Sequence, residues 1–152
     1  MNLSSYLGLL GKAEQTLAES FRQVADGHGH EPDVHFLCLS LAKQCDDHES
    51  SLAPAIQRFG EGGADDEPER LHAAGIETTR SGPLGLLRDL QDLYMLANFV
   101  DCTWMMVGQA AQAIRDDELQ ETVGRCESDT SVQIAWLTTR MKQAAPQALI
   151  AA

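Results

Sequence analysis

A few polar residues interrupt otherwise apolar stripes in this chain. They are of the kinds that hold metals and move protons: Glu14, Cys45, His48, Asp101 and the stretch Cys126 to Thr130, which includes Glu127 and Asp129. Carboxylates and imidazoles coordinate iron, manganese or zinc, and a thiolate adds preference for zinc. The same groups without a metal can hold one another in hydrogen bonds or exchange a proton. Polar groups in a core are costly, because an unpartnered carboxylate loses several kcal/mol of hydration or must take up a proton. A shared purpose at one level of the fold is therefore the reading to test. His28, His30 and His35 form a second group around one turn, with Glu31 and Asp33 beside them. These could hold a divalent ion at the surface, although a polar turn accounts for them as well and their spacing matches no established metal motif.

Each core residue also has a plainer role. A histidine on an apolar stripe is commonly a hydrogen-bonded core residue, and Cys45 and Cys126 are small enough to be simple buried side chains. Tyr94, Trp104 and Trp136 read as core or interface aromatics. Cys38, Cys45, Cys102 and Cys126 form no Cys-x-x-Cys pair, so zinc fingers and thioredoxin-like sites are unsupported. No Ser-His-Asp arrangement, phosphate loop or dinucleotide fingerprint is visible.

The elements that must position these residues are helices. The first is expected over about 5–25, with Leu10, Glu14, Leu17, Phe21 and Val24 on its inward stripe. It stops at Asp26-Gly27-His28-Gly29. The second is expected over 32–59, opened by Pro32 and Asp33, with Cys45 and His48 on the stripe. Pro54 falls inside this pattern and should kink the helix or end it early. The third is expected over 83–115 and carries two adjacent stripes. One runs through Leu90, Leu93, Val100 and Trp104, and the other through Leu87, Tyr94, Asp101 and Gly108. The fourth is expected over 117–143, with Leu119, Val123, Cys126, Thr130, Gln133 and Leu137 inward and Pro146 at its end. No alternating strand pattern occurs, so the fold class is all-α, in a single domain over 1–152.

Short turns join the first helix to the second and the third to the fourth, so each pair is antiparallel. Residues 60–82 are acidic and glycine-rich, with at most one short helix near 67–74. A connection of that length calls for a reason, and in a helix bundle the reason is a crossover from one end to the other. Glu14 and Cys45 lie at similar distances on either side of the first turn. Asp101 and the Cys126–Thr130 stretch lie at similar distances around the second. The polar interruptions of all four stripes thus fall at comparable depth.

In helix order and crossover position the chain resembles the ferritin-like superfamily over nearly its whole length, as an antiparallel four-helix bundle. Such di-metal bundles take one Glu from each of two helices and a Glu-x-x-His pair from each of the other two. The resemblance places Glu14 as the first-helix Glu, and Cys45-x-x-His48 where the second helix would give Glu-x-x-His. It places Asp101 for the third-helix Glu, and Glu127-x-x-Thr130 or Cys126-x-x-Asp129 in the fourth position. Neither fourth-helix alternative contains His. The set implied is incomplete for a metal pair. The first expectation is a non-redox member that acts by binding or assembly, with His48 hydrogen-bonded to Glu14, Asp101 or a backbone group. The second is an iron, manganese or zinc oxidoreductase or storage protein with an altered ligand set.

Eleven basic residues against 23 acidic ones give a net charge of -12. That field repels phosphate backbones and anionic lipid, so nucleic acid and membrane surfaces are poor partners. No apolar run approaches a membrane span, and the opening residues read as helix, not as a leader, which makes the cytoplasm the default compartment. The two stripes of the third helix imply burial against more than one neighbour, and so a homodimer. A further protein partner could use the acidic connection.

Overall fold

The computed structural model describes residues 2–60 and 74–151. Helices make up nearly all of them, and no strand occurs among them. Five α-helices follow in order: α1 (Leu3–Gly27), α2 (Pro32–Ser50), α3 (Ala53–Phe59), α4 (Gly82–Ala113) and α5 (Asp117–Pro146). A π-helical turn, Gln147–Ala151, ends the chain as described. Most of the connection expected over 60–82, with the short helix expected near 67–74, falls on residues outside those described. Among the described residues, no helix is long and apolar enough to cross a membrane.

Local chemistry explains the boundaries. The backbone N–H of His28 closes α1 on the Val24 carbonyl at 3.0 Å. Pro32 and Asp33 occupy the first turn of α2, where a missing N–H costs nothing and a carboxylate faces the positive end of the dipole. The expected second helix over 32–59 is two helices. Pro54 cannot donate back to the preceding turn, so α2 ends at Ser50 and α3 restarts with the proline in its own first turn. Arg115, at φ 57°, reverses the chain after α4, and the Asp116 side chain then caps α5 by accepting from Leu119 N at 3.0 Å. The last α-helix ends at Pro146, as expected, and the chain continues into the π turn.

The apolar stripes face inward as their spacing requires. Leu10, Leu17, Phe21 and Val24 of α1, Leu90, Leu93 and Trp104 of α4, and Leu119 and Leu137 of α5 have almost no exposed surface. Burying one such side chain stabilises the fold by about 1.5–3 kcal/mol. The extensive contacts are α1 on α2, α4 on α5 and α1 on α4. The second stripe of α4 lies along α5, where Gly108 admits the Val123 side chain. A methyl at Gly108 would come within 2.8 Å of Val123 Cγ1.

Between α2 and α5 the backbones approach less closely, and polar side chains bridge the gap in register. Arg140 donates to Asp33 at 2.8 Å, Gln133 to Gln44 at 2.7 Å and Arg125 to Ser51 at 2.9 Å. Arg58 of α3 donates to Asp116 and Glu118 at the start of α5. These partners run in opposite sequence directions, so α2 and α5 are antiparallel. So are α1 and α4, since His28 meets Asp89 and Glu14 meets Trp104.

Candidate functional site

Four long helices each contribute to one polar cluster in the core. Glu14 of α1 is fully buried, and its Oε1 accepts two hydrogen bonds. One comes from Trp104 Nε1 of α4 at 2.8 Å, and the other contact is His48 Nδ1 of α2 at 3.2 Å. The second ring nitrogen of His48, Nε2, lies 2.9 Å from Asp129 Oδ2 of α5. His48 is 1% exposed, whereas the Asp129 side chain is 36% exposed. The imidazole therefore bridges a sealed carboxylate and one that reaches water. Trp104 also stands edge-on to the His48 ring, with centroids 6.2 Å apart.

This geometry selects a protonation state. A neutral imidazole has one donor and one acceptor nitrogen, so one of the two carboxylates would face a lone pair. A ring protonated at both nitrogens donates to both. Burial alone lowers the pKa of His48. The hydrogen bonds and negative charges of Glu14 and Asp129 outweigh burial, and the net shift is upward. The upward shift favours the doubly protonated ring, the form that donates to both carboxylates.

Cys45 and Gln133 extend the cluster. Burial first, and the adjacent Glu14 carboxylate second, push the Cys45 thiol pKa upward and keep the sulfur protonated. Gln133 Nε2 donates to Gln44 and lies 3.7 Å from Cys45 Sγ. Two acceptor atoms, Glu14 Oε2 and Gln133 Oε1, are buried without a hydrogen-bond partner. Burial likewise pushes Cys126 up to about 12, and burial with the Asp33 charge pushes Cys38 up to about 12. Burial favours the protonated, less nucleophilic form of these thiols.

The structure thus brings Glu14, Cys45, His48 and Asp129 together. Asp101 stands apart from them. It lies on the α4 stripe that faces α5, is half-buried, and is close enough to Glu127 for its charge to act on that group. Burial raises both pKa values, and the Asp101 charge adds to the rise at Glu127. Trp104, three residues further along α4, occupies the place opposite Glu14. On α5 the hydroxyl of Thr130 donates to its own helix, at Cys126 O. Cys126 contributes a buried thiol, and Asp129 is the residue of that stretch that reaches the histidine.

The ferritin-like resemblance implies a metal pair, and the donor set does not fit one. Both nitrogens of His48 already face carboxylates, the Trp104 N–H points at Glu14, and the fourth helix offers no imidazole. Among the described residues, no group of three or more His, Cys, Asp or Glu side chains is arranged to hold a metal ion.

The turn histidines go to separate partners. His28 is 1% exposed and its Nε2 lies 2.7 Å from Asp89 Oδ2. His35 Nδ1 donates to Ala25 O at 2.7 Å, and His30 remains exposed with its ring centroid 6.3 Å from that of His28. Asp89 was not singled out by its sequence pattern, although it sits between the stripe residues Leu86, Leu90 and Leu93. It is fully buried and also accepts from the backbone N–H of Arg80 at 3.0 Å and from Arg80 Nη1 at 2.7 Å. Together with Thr79, it fastens the end of the long connection over the α1 terminus. Thr79 packs so closely on Gly27 that a Cβ there would lie 2.1 Å from its Oγ1.

No family model matches this chain, and neither a curated protein nor a solved structure matches it.

Proposed function

We propose that this chain is a ferritin-like four-helix bundle with an end-to-end crossover, whose former metal position holds a protonated histidine, and that it acts by binding or assembly without redox chemistry. Two sets of contacts favour the crossover. Arg58, near the end of α3, meets the start of α5, whereas Arg80, just before α4, meets Asp89 at the end occupied by the α1–α2 turn. Those two anchors lie at opposite ends of the bundle, which is what supports a crossover. The antiparallel pairing of α1 with α4 is the arrangement that such a crossover produces.

The observation that carries the functional reading is the use of both His48 nitrogens by Glu14 and Asp129. An imidazolium between two carboxylates neutralises the buried charge that a cation would otherwise have to neutralise. The thiols nearby are held protonated by burial. The cluster is suited to fixing the relative heights of four helices.

Elemental analysis of protein purified without added metal tests this directly, alongside a His48→Ala variant. The expected result is far less than one metal per chain in both proteins, and no saturable uptake of ferrous iron, manganese or zinc by either. Stoichiometric iron, manganese or zinc that disappears in the variant would favour the alternative, a metal-dependent oxidoreductase or storage protein. The buried, unpartnered Oε2 of Glu14 is the feature on which that alternative would be built.

A further inference from the structure

We infer that the exposed face of α4 is the docking surface for a second copy of this chain, antiparallel and about a two-fold axis that passes near Cys102. The inference rests on the assembly reading above and gives it a surface. Among the exposed positions of α4 from Leu84 to Ala113, Arg88 is the only charged residue, in a chain whose net charge is -12. Asp92 and Asp101 lie at the flanks, partly buried. Large apolar side chains stand in water along this face: Leu84 is 54% exposed, Met95 64%, Met105 52% and Met106 42%. Like-charge repulsion opposes self-association over most of so acidic a surface, and it is weakest where exposed carboxylates are missing. Methionine is also the side chain that adapts most readily to a facing copy of itself.

Met95 and Gln109 lie seven residues on either side of Cys102 on the exposed face. Arg88, Met95, Cys102 and Gln109 recur at seven-residue intervals, which keeps them on one line of the helix. Antiparallel pairing about Cys102 sets Met95 opposite Gln109 of the partner subunit and Cys102 opposite its own copy. Arg88 then falls toward the rim, where a charge remains solvated. A groove of about 290 Å³ between α1 and α4, lined by Tyr6, Met106 and Ala110 among others, widens the apolar strip on one side. A strip roughly 45 Å long and about 10–12 Å wide offers on the order of 500 Å² per copy, and the adjoining groove adds to that toward the roughly 800 Å² per partner of a stable interface.

Sedimentation velocity over a range of concentrations, paired with cysteine crosslinking, tests the inference. The wild-type protein is expected at twice the 16.6 kDa chain mass. Mild oxidation should join two chains through Cys102, and Cys102→Ser should abolish the product. In a Cys102→Ser background, Met95→Cys chains mixed with Gln109→Cys chains should crosslink, whereas Met95→Cys chains alone should not. Met95→Glu with Met106→Glu should weaken the dimer at least about a hundredfold while far-UV circular dichroism stays unchanged, since both residues are exposed. A wild-type monomer at every concentration would overturn both this interface and homo-assembly. A dimer that survives the double glutamate variant, or one in which Met95→Cys chains link to one another, would overturn the α4 pairing alone and leave assembly standing on another face.

Discussion

Removing the imidazole of His48 should expose how much of the fold rests on one buried charge. In His48→Ala, the Glu14 carboxylate stays fully buried with no positive charge beside it, keeping the hydrogen bond from Trp104 and the neighbouring Cys45 thiol. Stripping the partner from a buried ion pair costs about 3–5 kcal/mol, because the remaining charge is neither paired nor hydrated. In a domain of this size that lowers Tm by on the order of 10 °C. Glu14→Gln added to His48→Ala removes the stranded charge and keeps an acceptor for Trp104, so the double variant should recover about 1–3 kcal/mol relative to His48→Ala. Urea unfolding at pH 7, followed by circular dichroism, of the wild type, His48→Ala, Glu14→Gln and the double variant gives the four values from which the double-mutant cycle isolates the coupling. The reasoning fails if His48→Ala unfolds within about 0.5 kcal/mol of the wild type. It also fails if the second substitution adds to the loss, because Glu14 would then be no stranded charge.

Two further outcomes follow from the same geometry. The imidazole of His48 should titrate above the ordinary histidine range, and Asp129→Asn should lower its midpoint, as read by nitrogen-15 NMR of the ring. Because the folded pKa is raised, the stability His48 contributes is complete below about pH 6.5 and is lost as pH rises through the folded-state midpoint. A wild-type stability profile that climbs through that interval, relative to His48→Ala/Glu14→Gln, would contradict the assignment. At the other end of the molecule, Asp89→Ala removes the acceptor shared by His28 and Arg80 and should cost about 2–4 kcal/mol. Hydrogen exchange at the Arg80 amide should accelerate by more than the global loss of stability explains. Unchanged protection there would mean that Asp89 does not fasten the connection.

Apolar periodicity along single helices carried much of the architecture. The steps between Leu10, Glu14, Leu17 and Phe21 set those side chains on one face whatever surrounds them, and the short turns after Gly27 and Ile114 made neighbouring helices antiparallel. For that reason the meeting of Glu14 with the Cys45–His48 region was legible: heights on either side of a short turn are fixed by residue count. Pro54 announced a break because proline lacks the donor that a continuing helix needs, although the pattern of larger residues ran on past it.

What the sequence left open was rotation and lateral choice between elements far apart in the chain. Asp101 and Trp104 both had claims on the core level opposite Glu14, and only the packing of α4 against two neighbours decided between them. It turned the indole inward toward Glu14 and left the carboxylate along α5. The same holds for Asp129 rather than Thr130 as the partner of His48, and for the pairing of His28 with Asp89 across the closed end of the molecule. A helical pattern gives each residue an angle on its own axis. Which angle faces which neighbour is set by the combined burial of all the stripes, and that exists only once the helices have docked.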